Sequence, residues 1–269
     1  MSDLHSLLGD ALGPLYRIER EVRPVGECRM FIAVELPTGP DLTVKVLPSA
    51  LSLGVDLSTF ERELILLADR LKAPGLVAPK AAGRAGAFVY HTRPFVEGTT
   101  LHALLAKSGE LPLRQVVAVL SDVLAALAAA HARDVGHGDL RPENVLLDGK
   151  HALVADTGVV GAVERSLPSG GRAAAAATLC ASAYLAPERR EGDGAASPRS
   201  DMYAVGVLAH EMLTGRPPAP ESEALEEVRS LPSWLGELVR RCLAPEAGRR
   251  WANAGEARAA LNPLTGGTH

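Results

Sequence analysis

The chain has 269 residues, with 28 Lys and Arg against 32 Asp and Glu, a formal net charge of −4. That balance excludes binding of a nucleic-acid backbone by bulk charge, and 47% hydrophobic with 22% charged residues excludes disorder by composition. Aromatic residues make up only 4%, so alanine, leucine and valine must fill the core. Leu4, Leu7, Leu8 and Leu12 recur at helical spacing and predict an opening helix over 2–12. Strands follow over 16–22, 29–36 and 41–47, with a hairpin turn at Pro37-Thr38-Gly39-Pro40. Phe60, Leu64, Leu67 and Leu71 predict a helix over 60–71. Two more strands, 76–82 and 87–95, flank a Gly-rich turn at 83–86. After Gly98 helices dominate. Val116, Val119, Leu120, Val123, Leu124 and Leu127 line one face of a helix over 113–132. Segments 144–147 and 152–155 form a small hairpin around Asp148-Gly149, and 165–177 reads as a Ser-, Pro-, Gly- and Ala-rich loop. Helices are expected over 201–213, 233–243 and 253–261.

The expected division is a helix at 1–13, a β-rich lobe at 14–96, a helical lobe at 97–263 and a tail at 264–269. The fold class is α+β, in two lobes, and the crevice between them is a natural ligand site. The first ten residues contain Asp3 and no Lys or Arg, so they lack the basic and apolar regions of a signal peptide. No apolar run is expected to span a membrane, and residues 116–130, interrupted by Ser121 and Asp122, read as a buried helix. Cys28, Cys180 and Cys242 are odd in number, widely spaced and free of any CxxC pair, which argues against disulfides or zinc. A cytoplasmic location is the expectation.

The chemistry concentrates in His137-Gly138-Asp139-Leu140-Arg141-Pro142-Glu143-Asn144, followed twelve residues after Asn144 by Asp156-Thr157-Gly158. Any one of these acidic or amide residues alone would be a turn cap. Together they suit a magnesium–phosphate site. One carboxylate can orient an attacking hydroxyl, while the other and the amide oxygen hold the metal.

These strings resemble the bacterial eukaryotic-like (Hanks-type) Ser/Thr protein kinases, and the resemblance runs from Tyr16 to Leu261. It implies a bilobal kinase fold, ATP and Mg²⁺ as cofactors, and a protein hydroxyl as substrate. Thr43-Val44-Lys45-Val46-Leu47 looks like the strand with the phosphate-binding lysine, Lys45, and Glu63 like its helix partner, with Glu61 the competitor. Asp139 would orient the substrate hydroxyl, Arg141 would contact the γ-phosphate, and Asn144 and Asp156 would hold the metal. Phe95-Val96-Glu97-Gly98 looks like the hinge between lobes. The Pro94 carbonyl and the Val96 N–H would then meet adenine, with Val22, Met30, Thr43 and Leu146 around the base. Tyr184 to Glu188 resembles the end of the activation segment. The resemblance implies that Asp201 holds the catalytic loop and that Arg250 pairs with Glu188.

The departures from the family pattern are specific. Of the Gly-rich loop only Gly26 survives, in Val22-Arg23-Pro24-Val25-Gly26-Glu27-Cys28, which implies weaker ATP binding, with Arg23 as a compensating charge. Thr157 replaces the aromatic of Asp-Phe-Gly. Gly138 replaces the arginine that reads a phosphorylated loop, so switching by loop phosphorylation is not expected. Arg141 stands where lysine is usual, and Ala181 where a threonine is expected. Arg93, just before the hinge, must find a carboxylate, Glu63 or Asp156, or stay outside. Two readings follow: a protein Ser/Thr kinase of weak activity, or a pseudokinase that binds a regulatory partner. The chain ends at His269, so an input signal is expected from a partner.

Overall fold

The computed structural model describes residues 4–13, 15–191, 194–218 and 231–261. The expectations for the 264–269 tail and for the Arg23 side chain fall outside the described part. In chain order the N-terminal elements are α1 (Leu4–Leu12), β1 (Tyr16–Val25), β2 (Cys28–Glu35), β3 (Asp41–Val46), α2 (Ser49–Ser52), α3 (Leu57–Arg70), β4 (Leu76–Val77), β5 (Ala81–Ala85) and β6 (Phe88–Pro94). Then come β7 (Thr99–Thr100), α4 (Leu101–Ser108), α5 (Leu113–His131), β8 (Val145–Leu147), β9 (Ala152–Ala155), α6 (Val159–Ser166), α7 (Gly171–Leu179), α8 (Pro187–Arg190), α9 (Pro198–Thr214), α10 (Ser233–Cys242) and α11 (Ala254–Leu261).

Period-two alternation builds the first sheet, five-stranded in the order β1-β2-β3-β6-β5. Its antiparallel register pairs Val22 with Met30, Met30 with Lys45, and Lys45 with His91, while Ile32 opposes Thr43 and Thr43 opposes Arg93. Directly opposed residues share a face, so all of these point the same way. The other face carries Phe31, Ala33, Leu42, Val44, Val46 and Tyr90, which bury together with Leu8 and Leu12 of α1. One face is therefore a dry core and the other a mixed polar surface turned toward the rest of the chain.

Two departures from the expected elements have clear causes. The strand expected over 76–82 is split: Leu76–Val77 pairs in parallel with β9 in a second sheet, and Ala81–Ala85 pairs with β6. Pro79 lies at the break, and it has no N–H to give a ladder. The turn accordingly falls at Gly86, whose φ of 56° suits glycine. The segment 165–177 is not a loop. It contributes the end of α6 and most of α7. Gly158 and Gly170, both left-handed, lead into α6 and α7, and the alanines at 173–177 carry the best helix propensity there is.

The helical part is organised on α5 and α9. By length and composition alone α5 is apolar enough to cross a membrane, but it is the buried helix expected of this stretch. In the fold its Val116, Val119, Leu120, Val123, Leu124 and Leu127 are buried with Val205, Leu208 and Met212 of α9 and with residues of α10 and α11. Each such side chain contributes about 1.5–3 kcal/mol on burial. The N-terminus of α9 is fixed by a capping box between Ser197 and Ser200, and Gly215 ends it in the left-handed conformation. A third cluster joins the two parts, with Phe60, Leu64 and Leu67 of α3 against Val159, Val160 and Val163 of α6 and Leu179 of α7.

Candidate functional site

The loop at 137–144 is held from below. Asp201, in the first turn of α9, accepts hydrogen bonds from the backbone N–H groups of His137 (2.6 Å) and Gly138 (3.0 Å), and its Oδ2 also meets His131 Nε2 at 2.9 Å. Burial opposes ionisation of Asp201, but the hydrogen bonds from His131 and from the Gly138 N–H hold its pKa below the usual carboxylate value. His137 accepts from the Asp139 N–H through Nδ1 at 3.1 Å, so its proton sits on Nε2 and is donated to the Ala155 carbonyl at 3.0 Å. Burial lowers its pKa and keeps the ring neutral. Gly138 has φ of 85°, and a Cβ there would come within 3.0 Å of the Ala196 Cβ. Local backbone geometry and packing thus favour glycine at the position where an arginine would read phosphate.

Asn144 closes the loop by donating from Nδ2 to the Asp139 carbonyl (2.7 Å) and to Asp139 Oδ2 (3.0 Å). The other carboxylate oxygen, Oδ1, is buried and has no hydrogen-bond partner. Arg141 lies beside it, with Nε 3.5 Å from Oδ1. Burial pushes the Asp139 pKa up, and Arg141 and Lys45 offset part of that. The β1–β2 turn descends onto the same place, since a Cβ on Gly26 would lie 3.0 Å from the Arg141 guanidinium. Gly26 therefore covers Arg141 directly.

Opposite this loop stands Asp156, at the end of β9, with φ of 61° and 4% exposure. Lys45 Nζ lies 2.8 Å from its Oδ2, and Arg93 Nε lies 3.3 Å from its Oδ1. Burying the carboxylate costs several kcal/mol. Two unit charges at contact each return about 4 kcal/mol at an effective dielectric near 20. The cations win: burial alone would raise the Asp156 pKa, but Lys45 and then Arg93 hold it well below the carboxylate range. By the same pairing Lys45 is raised although burial works against it. His91, also buried, is driven down to about 4 by desolvation and is neutral.

The expected Lys45–Glu63 pair is not formed. Glu63 lies on α3 and accepts from Arg165 Nε of α6 at 2.7 Å. Val159 and Val160 of α6 and Leu179 of α7 line the space around Lys45, His91, Asp139 and Asp156, and the same residues pack with Phe60, Leu64 and Leu67 of α3. Of the alternatives for Arg93, the structure selects Asp156, and Arg93 also donates to the Pro94 carbonyl at 3.4 Å. That engages the carbonyl expected to meet adenine. Val22, Met30 and Thr43 share the sheet face of Lys45, and Val96 packs with Leu146, Val77 and Ala155. The residues assigned to a base thus fall into two groups, one on the sheet face of Lys45 and one around Leu146. All three cysteines are free and buried; burial raises Cys28 to about 11 and Cys180 to about 12.

Asp156 and Asn144 offer hard oxygens of the kind magnesium takes. As the side chains stand, however, both Asp156 oxygens face cations, Lys45 at one and Arg93 at the other. Among the described residues no group of three or more His, Cys, Asp or Glu could hold a metal. With Lys45 and Arg93 in place, Asp156 does not accommodate the ion.

Sequence reading missed Arg165, Val159, Val160, Leu179 and His91. The signal was present for α6, where Val159, Val160 and Val163 recur at helical spacing immediately after a glycine. Lower down, Arg250 forms a two-pronged pair with Glu188, at 2.8 and 2.9 Å, as the resemblance implied.

The chain is 34% identical over 256 residues to the serine/threonine-protein kinase PknL of Mycobacterium tuberculosis, covering 89% of this chain and 63% of PknL. It thus spans somewhat less than two thirds of that relative. The crystal structure of the Mycobacterium tuberculosis PknI kinase domain superposes with a TM-score of 0.72 at 25% identity, covering 92% of this chain and 95% of that one. Rad53 in complex with AMP-PNP shares the fold, with a TM-score of 0.70 at 20% identity over 92% of this chain and 64% of that one. The family described as protein kinase domain matches residues 26–258. With the looped aspartate and asparagine on one side of the cleft, the paired lysine and aspartate on the other, and that match over most of its length, the chain belongs to the protein kinase domain family.

Proposed function

We propose that the chain transfers the γ-phosphoryl group of ATP to a serine or threonine hydroxyl of a protein, and that the conformation described is its resting one. Protein kinase domains use ATP and a divalent metal in general. The observation that carries the reading is Asp139 Oδ1: a buried carboxylate oxygen without a hydrogen-bond partner, on a residue that lines the space shared with Lys45 and Asp156, with Asn144 fixing the other oxygen. A hydroxyl delivered to Oδ1 would be oriented for attack and could give up its proton there. The pKa raised by burial makes Asp139 the better acceptor. Lys45 and Arg141 supply positive charge on either side of the transferred group. Val22, Met30, Thr43, Val96 and Leu146 would take the base. Gly26 as the loop's surviving glycine and Thr157 in the Asp-Thr-Gly turn go with weak nucleotide binding and slow turnover.

The test is incubation with Mg²⁺ and γ-labelled ATP, with and without a generic basic protein substrate. Label on protein in the native chain, reduced by about 10³-fold or more in Asp139→Asn, is the expected outcome. A second reading, a pseudokinase that binds a regulatory protein, is favoured by one set of contacts. Lys45 and Arg93 both hold Asp156, and Glu63 is taken by Arg165. No label in the native chain, with ATP failing to raise its melting temperature, would select that reading.

A further inference from the structure

Arg93 sits on β6 opposite Thr43, on the sheet face that carries Lys45 and His91. It is 5% exposed. A guanidinium cannot shed its proton to relieve burial. Its partner is Asp156, whose Oδ1 it meets at 3.3 Å while Lys45 holds Oδ2 at 2.8 Å. His91, neutral beside them, has neither ring nitrogen hydrogen-bonded. Lys45 and Arg93 against Asp156, with Arg141 against Asp139 beside them, leave one positive charge in excess at the inner end of the cleft. A divalent ion bound at Asp156 would displace a buried cation from its counter-ion and add two charges to a site already positive. An anion would meet the opposite situation: a preformed pair of donors with charge to spare.

From this geometry we infer that Arg93 is the resident counter-ion of Asp156 and takes the place of a metal there, so that nucleotide phosphates are met by Lys45 without a bridging metal and binding is largely independent of divalent ions. This rests on the nucleotide reading given above. Arg93 is a positioning residue here, since it acts on the site through Asp156.

The experiment measures ATP affinity calorimetrically for the native chain, Arg93→Met and Arg93→Lys, each in EDTA and in Mg²⁺. The native chain and Arg93→Lys are expected to bind with affinities that differ little between the two conditions. Arg93→Met frees Asp156 Oδ1, and its affinity is expected to rise by about tenfold or more when Mg²⁺ replaces EDTA. A purely structural role for Arg93 would weaken binding alike in both conditions and leave that ratio unchanged. A native chain whose affinity rises about tenfold or more when Mg²⁺ replaces EDTA would overturn the inference and leave the nucleotide reading intact, and this outcome is read on the native chain alone. Absence of ATP binding by the native chain in both conditions would overturn the nucleotide reading and the inference with it.

Discussion

Arg250 is the largest fully buried side chain described, and it is charged. Its guanidinium is satisfied by Glu188 on two prongs and by the carbonyls of Ala244, Pro245 and Arg199. A buried ion pair need not stabilise relative to an apolar pair, but removing one member strands the other. Arg250→Met is therefore expected to cost about 2–3 kcal/mol, read from the urea midpoint, because three carbonyls and a carboxylate about a third exposed lose their donor. A change below 1 kcal/mol would mean that water reaches the site. This pair was legible in the sequence, as were Asp201 and the 137–144 loop, because each partner occupies a position whose role the family pattern implies. The partners of Arg93 and Glu63 were not legible. Each had more than one carboxylate or cation in prospect, and the choice depends on where α6 lies, which no single residue encodes.

At the scale of elements, α6 makes that choice. It carries Arg165 to Glu63 of α3 and Glu164 to Arg189 of α8. The two pairs differ in surroundings. Arg165 is half exposed, whereas Glu164 and Arg189 side chains are each 3% exposed. Arg165→Ala is expected to cost less than about 1 kcal/mol. It should still speed amide exchange across 159–166, since a tie between α3 and α6 is cut. Glu164→Gln removes the counter-charge of a buried arginine that also donates to the Gly138 carbonyl, and about 3–5 kcal/mol is expected. Equal losses from the two substitutions would contradict the difference in burial. The sheet, α3, α5 and α9 were readable from periodicity, since each buries one face. The segment holding α6 and α7 was not, because residues 167–171, Leu-Pro-Ser-Gly-Gly, carry strong turn signals that mask the helix-forming alanines beside them.

Over the whole molecule the small net charge conceals carboxylates of opposite pH behaviour. Asp156 and Asp201 are held below their ordinary values, so the stability they contribute is present above about pH 4 and is lost as the pH falls further. Glu211, in the last turns of α9, behaves in reverse. Burial first, and then the negative Glu143, push it up to about 7 from 4.5. Below pH 4.5 the folded and unfolded chains both hold its proton, and the group contributes nothing. Between 4.5 and 7 the unfolded chain releases the proton first, so stability falls as the pH rises. Above 7 the folded chain must carry a half-buried carboxylate with one oxygen lacking a hydrogen-bond partner. Glu211→Gln removes that penalty without changing shape. The substitution is expected to raise the melting temperature by a few degrees at pH 8 and to leave it nearly unchanged at pH 4.5, measured by calorimetry on both proteins. An offset of the same size at both pH values would show that packing, not ionisation, separates the two side chains.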